Sequence, residues 1–192
     1  MGLNYSYVIY VPAANVVRAL GALSEMTPGD LGPVEVALPG GEKLLLPFTS
    51  KFKSEPVDCS AGEDLWLDTT ILVDVEDDYA REYFEERDER GRGRLGYLYL
   101  WLRFASRLHP GYASLDFTAA TTRMSELMEQ STSVEKAFRK LAVASGGVCS
   151  LLDREGQSLE VRWLNGETCR EPIPGTRFAY GRDLVETWPD LA

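Results

Sequence analysis

Ten residues, Leu95 to Phe104, read LGYLYLWLRF. Leu98, Leu100, Leu102 and Phe104 alternate with Tyr97, Tyr99, Trp101 and Arg103. Side chains of a strand alternate between the two faces of its sheet, so this run specifies a strand with two unlike faces. One face is aliphatic and belongs to a core. The other carries rings ending in a hydroxyl or an indole N–H, plus a guanidinium. That second face needs a second layer, a partner or a ligand.

Neighbouring segments repeat the division. Leu65–Val75 sets Leu65, Leu67, Ile71, Val73 and Val75 against Trp66, Asp68, Thr70 and Asp74. Tyr112–Ala119 sets Ala113, Leu115, Phe117 and Ala119 against Tyr112, Ser114, Asp116 and Thr118. Ser158–Leu164 sets Leu159, Val161 and Trp163 against Glu160 and Arg162. The expected site is this shared polar-aromatic face, represented by Trp66, Asp68, Asp74, Tyr97, Tyr99, Trp101, Arg103, Tyr112 and Asp116. Tyr, Trp and Arg are enriched at protein interfaces, and rings with a few polar groups also line small-molecule pockets. The plain alternative needs no ligand, because cross-strand Tyr, Trp and Thr pairs stabilise any antiparallel sheet.

Other segments complete an α+β pattern with a mixed or mainly antiparallel sheet and helices on one face. Tyr5–Val11 reads as a strand. Ala13–Glu25 reads as a helix, with Val16, Val17, Leu20 and Leu23 at helical spacing. Val34–Leu38 and Lys43–Phe48 flank Pro39-Gly40-Gly41-Glu42 as a hairpin. Glu76–Arg90, EDDYAREYFEERDER, reads as a charged helix over Asp77–Arg90, and Gly91-Arg92-Gly93-Arg94 as a flexible connection. After Tyr112–Ala119, Met124, Leu127 and Met128 start a helix that Val134, Phe138 and Leu141 continue. A capping box at Thr132-Ser133-Val134-Glu135 predicts a restart there. Val148–Leu152 and Ser158–Leu164 then form a hairpin.

Residues 5–49 and 112–164 thus both spell β-α-β-β, joined by a central strand-helix-strand. Two fused ferredoxin-like halves in one domain, residues 1–164, would satisfy this order. Residues 165–192, with Pro172, Pro174, Gly175 and Gly181, read as a loop-rich tail with one helical turn at Asp183–Thr187. Its Phe178, Tyr180 and Trp188 could close over the rings as an intramolecular lid.

Composition narrows the functions. The chain has 192 residues, 20 Lys and Arg against 30 Asp and Glu, and a net charge of -10. Nucleic-acid affinity comes mostly from Lys and Arg on phosphates, so nucleic acid is not expected as a partner. Basic proteins are easier partners for an acidic chain. Cys59, Cys149 and Cys169 form no Cys-x-x-Cys pair, and one histidine completes no zinc set, so neither metal nor cofactor is expected. Free, scattered cysteines and no secretory pattern fit a cytoplasmic protein. Arginine (15) over lysine (5) suits a GC-rich bacterial genome. No apolar run is long enough to span a bilayer.

Three functions follow as expectations. The leading one is a binding protein, of immunity or antitoxin type, that presents its polar-aromatic face to a protein. The second is a small-molecule isomerase or hydrolase, with His109 and Asp116 as acid and base in one pocket. The third is a subunit whose open face meets its own copy. His109 sits in Arg107-Leu108-His109-Pro110-Gly111, a turn sequence, and Cys59 lies in the polar loop Cys59-Ser60-Ala61-Gly62.

Overall fold

The computed structural model describes residues 2–47, 55–173 and 177–190, at 177–181 in the backbone only. The fold is α+β. In chain order the elements are β1 (Ser6–Pro12), α1 (Val16–Met26), β2 (Val34–Ala37), β3 (Lys43–Leu46), β4 (Val57–Asp58), β5 (Leu65–Asp74), α2 (Asp78–Tyr83), β6 (Arg92–Arg103) and β7 (Tyr112–Ala119). They continue with α3 (Thr122–Gln130), α4 (Thr132–Ala144), β8 (Cys149–Asp153), β9 (Leu159–Leu164), β10 (Glu167–Ile173) and α5 (Arg177–Glu186).

Seven strands form one antiparallel sheet in the order β10-β9-β8-β1-β7-β6-β5. The first strand lies at its centre, between β7 and β8. The hairpin β2-β3 stands apart, in a small sheet of order β3-β2-β4. The two β-α-β-β units are therefore placed differently: one sends its hairpin to the small sheet, the other to the large one. Leu46 is the last β3 residue, and Phe48 lies outside the described residues.

The core follows the alternation. Tyr7, Ile9 and Val11 of β1, Leu98, Leu100 and Leu102 of β6, and Leu115 and Phe117 of β7 are buried together with residues of α1, α3 and α4. Tyr7 stacks on Phe138 of α4 at 4.2 Å, and its hydroxyl donates to the Met128 carbonyl at 3.3 Å. Each such fully buried side chain contributes roughly 1.5–3 kcal/mol.

Several local expectations change. The charged helix stops at Tyr83, because the Phe84 ring packs against Gly93. A Cβ at Gly93 would fall 2.2 Å from Phe84 Cγ, so ring and glycine require each other. Gly91-Arg92-Gly93-Arg94 is consequently no flexible connection: β6 begins at Arg92, and Arg87 bridges to Gly93. Asp88 closes that turn, accepting from the Arg90 and Arg92 amides at 2.9 Å each.

Helices α3 and α4 break at Ser131, whose hydroxyl caps α4 through the Val134 amide. Asp77 ties this junction to α2. Its Oδ1 accepts from the Ala80 amide and its Oδ2 from the Ser131 hydroxyl and the Ser133 amide. Burial disfavours its charge, but the bonds from Ala80, Ser133 and Ser131 overcome this and hold its carboxyl well below the usual range.

Glu160 and Arg162 lie on the opposite side of β9 from the one expected. The β8-β9 register shifts between Ser150 and Leu151, which pair with Trp163 and Val161 and leave Arg162 as the extra residue. Arg162 is buried and paired to Glu135 of α4 at 2.8 Å, beneath the helices. Val161 instead joins a second apolar cluster across the sheet.

The region after Leu164 is not mostly loop. Asn165 (φ 47°) and Gly166 (φ 97°) make a left-handed turn that returns the chain as β10. Helix α5 follows and covers part of the sheet face opposite α1, α3 and α4, so the helices are not all on one face.

Candidate functional site

The antiparallel register sets the second face out as three rows across the strands. The first runs Trp66, Trp101, Asp116, Val8 and Leu151. The second runs Asp68, Tyr99, Thr118, Ser6, Asp153 and Leu159. The third runs Arg103, Ser114, Tyr10 and Cys149. Each row begins polar or aromatic at β5 or β6. Two of them end aliphatic by β8 or β9, and the third ends at the buried Cys149.

The β5-β6 end is open. Trp66 is 50% exposed, Tyr97 57% and Tyr99 50%. Trp66 stacks on Trp101 at 4.1 Å, and the Trp101 indole donates to Asp64 Oδ2 at 2.8 Å. The Arg103 guanidinium lies 3.1 Å from the centre of the Trp101 ring, with Arg107 at 6.0 Å. Burial pulls the Arg103 pKa below its ordinary value, against the opposing charge of Asp116.

The β1-β7-β8 end is covered. Trp188, just after α5, packs on Tyr10 at 5.0 Å and Tyr112 at 4.8 Å. The Tyr112 hydroxyl donates to the Pro189 carbonyl at 2.6 Å, and Asn165 Nδ2 to the Thr187 carbonyl at 2.7 Å. Trp188 thus closes over the buried Tyr112 and the half-buried Tyr10 and does not reach Trp66, Tyr97 and Tyr99, which stay half exposed. The Phe178 and Tyr180 side chains lie outside the described residues.

Between the two ends a cavity of about 370 Å³ lies under α5. Trp101, Arg103 and Arg107 line one end, and Leu151, Leu159, Ile173 and Leu184 the other. Asp116, Asp153, Ser114, Tyr10, Val8 and Leu108 line the remainder. Asp116 Oδ1 accepts from the Thr118 hydroxyl at 3.1 Å, and Asp153 Oδ1 from the Gly156 amide at 2.6 Å.

The structure therefore brings Trp66, Asp68, Tyr99, Trp101, Arg103 and Asp116 onto contiguous rows, with Tyr97 next to Tyr99's open end. Tyr112 is on the same face but buried beneath Trp188. Asp74 is elsewhere. The β5-β6 register shifts between Thr69 and Ile71, and beyond it Asp74 pairs with Arg92 and lines a small cleft with Glu25 and Lys136. Thr70 has its hydroxyl buried on the Leu95 carbonyl.

His109 does not line the cavity that contains Asp116. Its Nδ1 accepts from the Gly111 amide at 3.0 Å, and its ring meets Tyr112 edge-on at 5.3 Å. It serves the β6-β7 turn. Cys59 is a free thiol in the loop after β4, buried in the main core, where burial pushes its pKa up. Cys149 is buried in the second cluster, with the same effect. No group of three or more His, Cys, Asp or Glu among the described residues is placed to hold a metal ion.

Arg107 and Leu184 were absent from the sequence-derived set. Arg107 follows the end of β6, where alternation no longer assigns a face. Leu184 belongs to a helix whose contact with the sheet carries no periodic signal. Comparisons with protein-family models, curated proteins and solved structures each give no match. Among the described residues no helix is long and apolar enough to cross a membrane.

Proposed function

We propose that this chain is a binding protein that presents the open β5-β6 end of its second sheet face to a basic protein partner. The observation that carries this reading is the half-exposed group Trp66, Tyr97 and Tyr99, beside Asp68 and Asp64. Large rings at half exposure are suited to becoming the buried anchors of an interface. Neighbouring carboxylates and a net charge of -10 favour Arg or Lys from the partner, whose cations stack well on Trp and Tyr. An immunity or antitoxin-like role, covering a basic protein, is the concrete form of this reading.

The test is photo-crosslinking in the native host, with benzoylphenylalanine placed at Tyr99 and, as control, at exposed Val143 on α4. The expected product is a heterologous basic protein captured from position 99 and not from 143. The purified complex should weaken at least tenfold between 50 and 300 mM salt. An adduct of twice this chain's mass would instead establish self-association. No position-specific adduct, or a salt-independent complex, overturns the reading.

A further inference from the structure

We propose that the cavity under α5 is a separate binding site for a small carboxylate with an apolar body. The polar head of the site is Arg103. Its side chain is only 15% exposed, and its Nε–H is buried without a hydrogen-bond acceptor. The nearest ion-pair contact of that atom, Asp64 Oδ2, is 3.9 Å away, beyond hydrogen-bond reach. A buried donor left unmade is costly, more so when charged. The guanidinium lies against the Trp101 ring, which restrains it, and Arg107 brings a second cation to the same ring. A planar fork held in this way matches a carboxylate.

The two acids of the cavity each accept a hydrogen bond from the protein, whereas the buried Arg103 Nε–H has no acceptor, so the unmet demand is for an acceptor rather than a cation. Asp116 takes the Thr118 hydroxyl and Asp153 the Gly156 amide. They do limit the ligand's charge. Among the described lining residues, Arg103 and Arg107 face Asp116 and Asp153, so a doubly charged phosphate would meet more repulsion from these acids than a single carboxylate.

The rest of the ligand is set by the far wall. Leu151, Leu159, Ile173 and Leu184 offer aliphatic surface with no charge among them. The register fixes the direction: from Trp101 on β6 the row crosses Asp116 and Val8 to Leu151 on β8. Four strands at about 4.8 Å spacing place head and tail sites roughly 14 Å apart. The volume, about 370 Å³, lies within the usual range for small-molecule pockets. A straight-chain or aryl-alkyl monocarboxylate has the shape and charge this site asks for.

The test uses octanoate, octanol and octylamine as probes of the full chain, followed by calorimetry and by tryptophan fluorescence. Octanoate should bind at one site per chain, at least tenfold tighter than either neutral or cationic probe. Arg103→Met should weaken octanoate at least tenfold and leave octanol unchanged. Arg107→Met, at a more exposed position, gives the same direction with less risk to folding. Leu151→Trp should block octanoate by filling the tail end. Equal binding of the three probes, absence of octanoate binding, or indifference to both arginine variants each overturns the proposal. Crosslinking from Tyr99 is unaffected by any of these outcomes, so this site and the partner surface stand or fall separately.

Discussion

The two ends of the second sheet face share one sequence signature and meet different fates. Around β5 and β6, Trp66, Tyr97 and Tyr99 are half exposed. Around β1 and β7, Tyr10 and Tyr112 lie beneath Trp188, and Tyr112 is buried. Alternation put amphipathic rings at both ends. What separates them is a helix contributed by the last residues of the chain, which reaches one end and stops. An amphipathic strand face therefore announces that something can cover it. The covering element has its own sequence, far away.

Removing the cover is the strongest way to break this contrast. Trp188→Ala strips the ring that bridges Tyr10 and Tyr112. Large-to-small changes of a buried aromatic cost about 3–5 kcal/mol. The indole N–H of Trp188 is buried with no acceptor, which places the expectation at the lower bound, about 3 kcal/mol. Urea unfolding should report the loss, and amide exchange should quicken in α5 while β6 and β7 stay protected. If stability changes by less than about 1 kcal/mol, α5 is not a structural cover.

A smaller effect comes from the hydroxyl that ties Tyr112 to Pro189. Tyr112→Phe should cost about 1 kcal/mol at neutral pH. The same group makes stability depend on pH. Burial, and then Asp190, raise the Tyr112 pKa, and burial raises that of Tyr7 further. A tyrosine raised on folding keeps its proton in the native state after the unfolded chain has released its own. Its contribution is complete below the unfolded value of about 10 and is lost as pH rises toward the folded one. Unfolding midpoints measured from pH 8 to 11 should fall above about 10, and fall less steeply in Tyr112→Phe. An identical slope in the variant would remove Tyr112 from this account.

At the open end the largest expected cost is the Trp66–Trp101 stack. Trp66→Ala should lose at least about 1 kcal/mol, the range for an aromatic pair, and less than a fully buried ring would. A loss near that of Trp188→Ala would mean that the ring is covered in solution, by a second copy or within its own chain. Concentration dependence of the unfolding midpoint distinguishes these two.

Much of the contrast was legible in the sequence, and its gaps have physical causes. The faces of β1, β7 and the Leu98–Arg103 part of β6 follow directly from period-two alternation, because those stretches pair with one another without interruption. The face of β9 does not, because one extra residue at Arg162 inverts the assignment and nothing local marks a bulge. Asp74 lies past a different irregularity, where the partner strand β6 carries the extra residue between Leu95 and Leu98, and it lines a cleft with Glu25 and Lys136 instead. The short α2 is a tertiary effect: fifteen residues of helical composition yield to one ring seated on Gly93. Strand β10 had a signal, Asn165-Gly166 between two β-prone runs, which the surrounding prolines and charges obscured. The cavity had none, since it exists only where α5, β10 and the three rows meet.

The smallest expected effect is the most discriminating for function. Tyr99 is half exposed, opposite Asp68 on one side and Thr118 on the other. Tyr99→Ala removes a ring whose outer surface is already in water, so the unfolding free energy should move by no more than about 0.5 kcal/mol. Affinity for the crosslinked partner should nevertheless drop at least tenfold, because a ring that contributes little to the fold is free to be buried by another protein. Trp188→Ala should show the opposite balance, with a large loss of stability and a small loss of affinity. If Tyr99→Ala is neutral in both measurements, the open end is a stable wet surface with no owner, and the partner binds elsewhere.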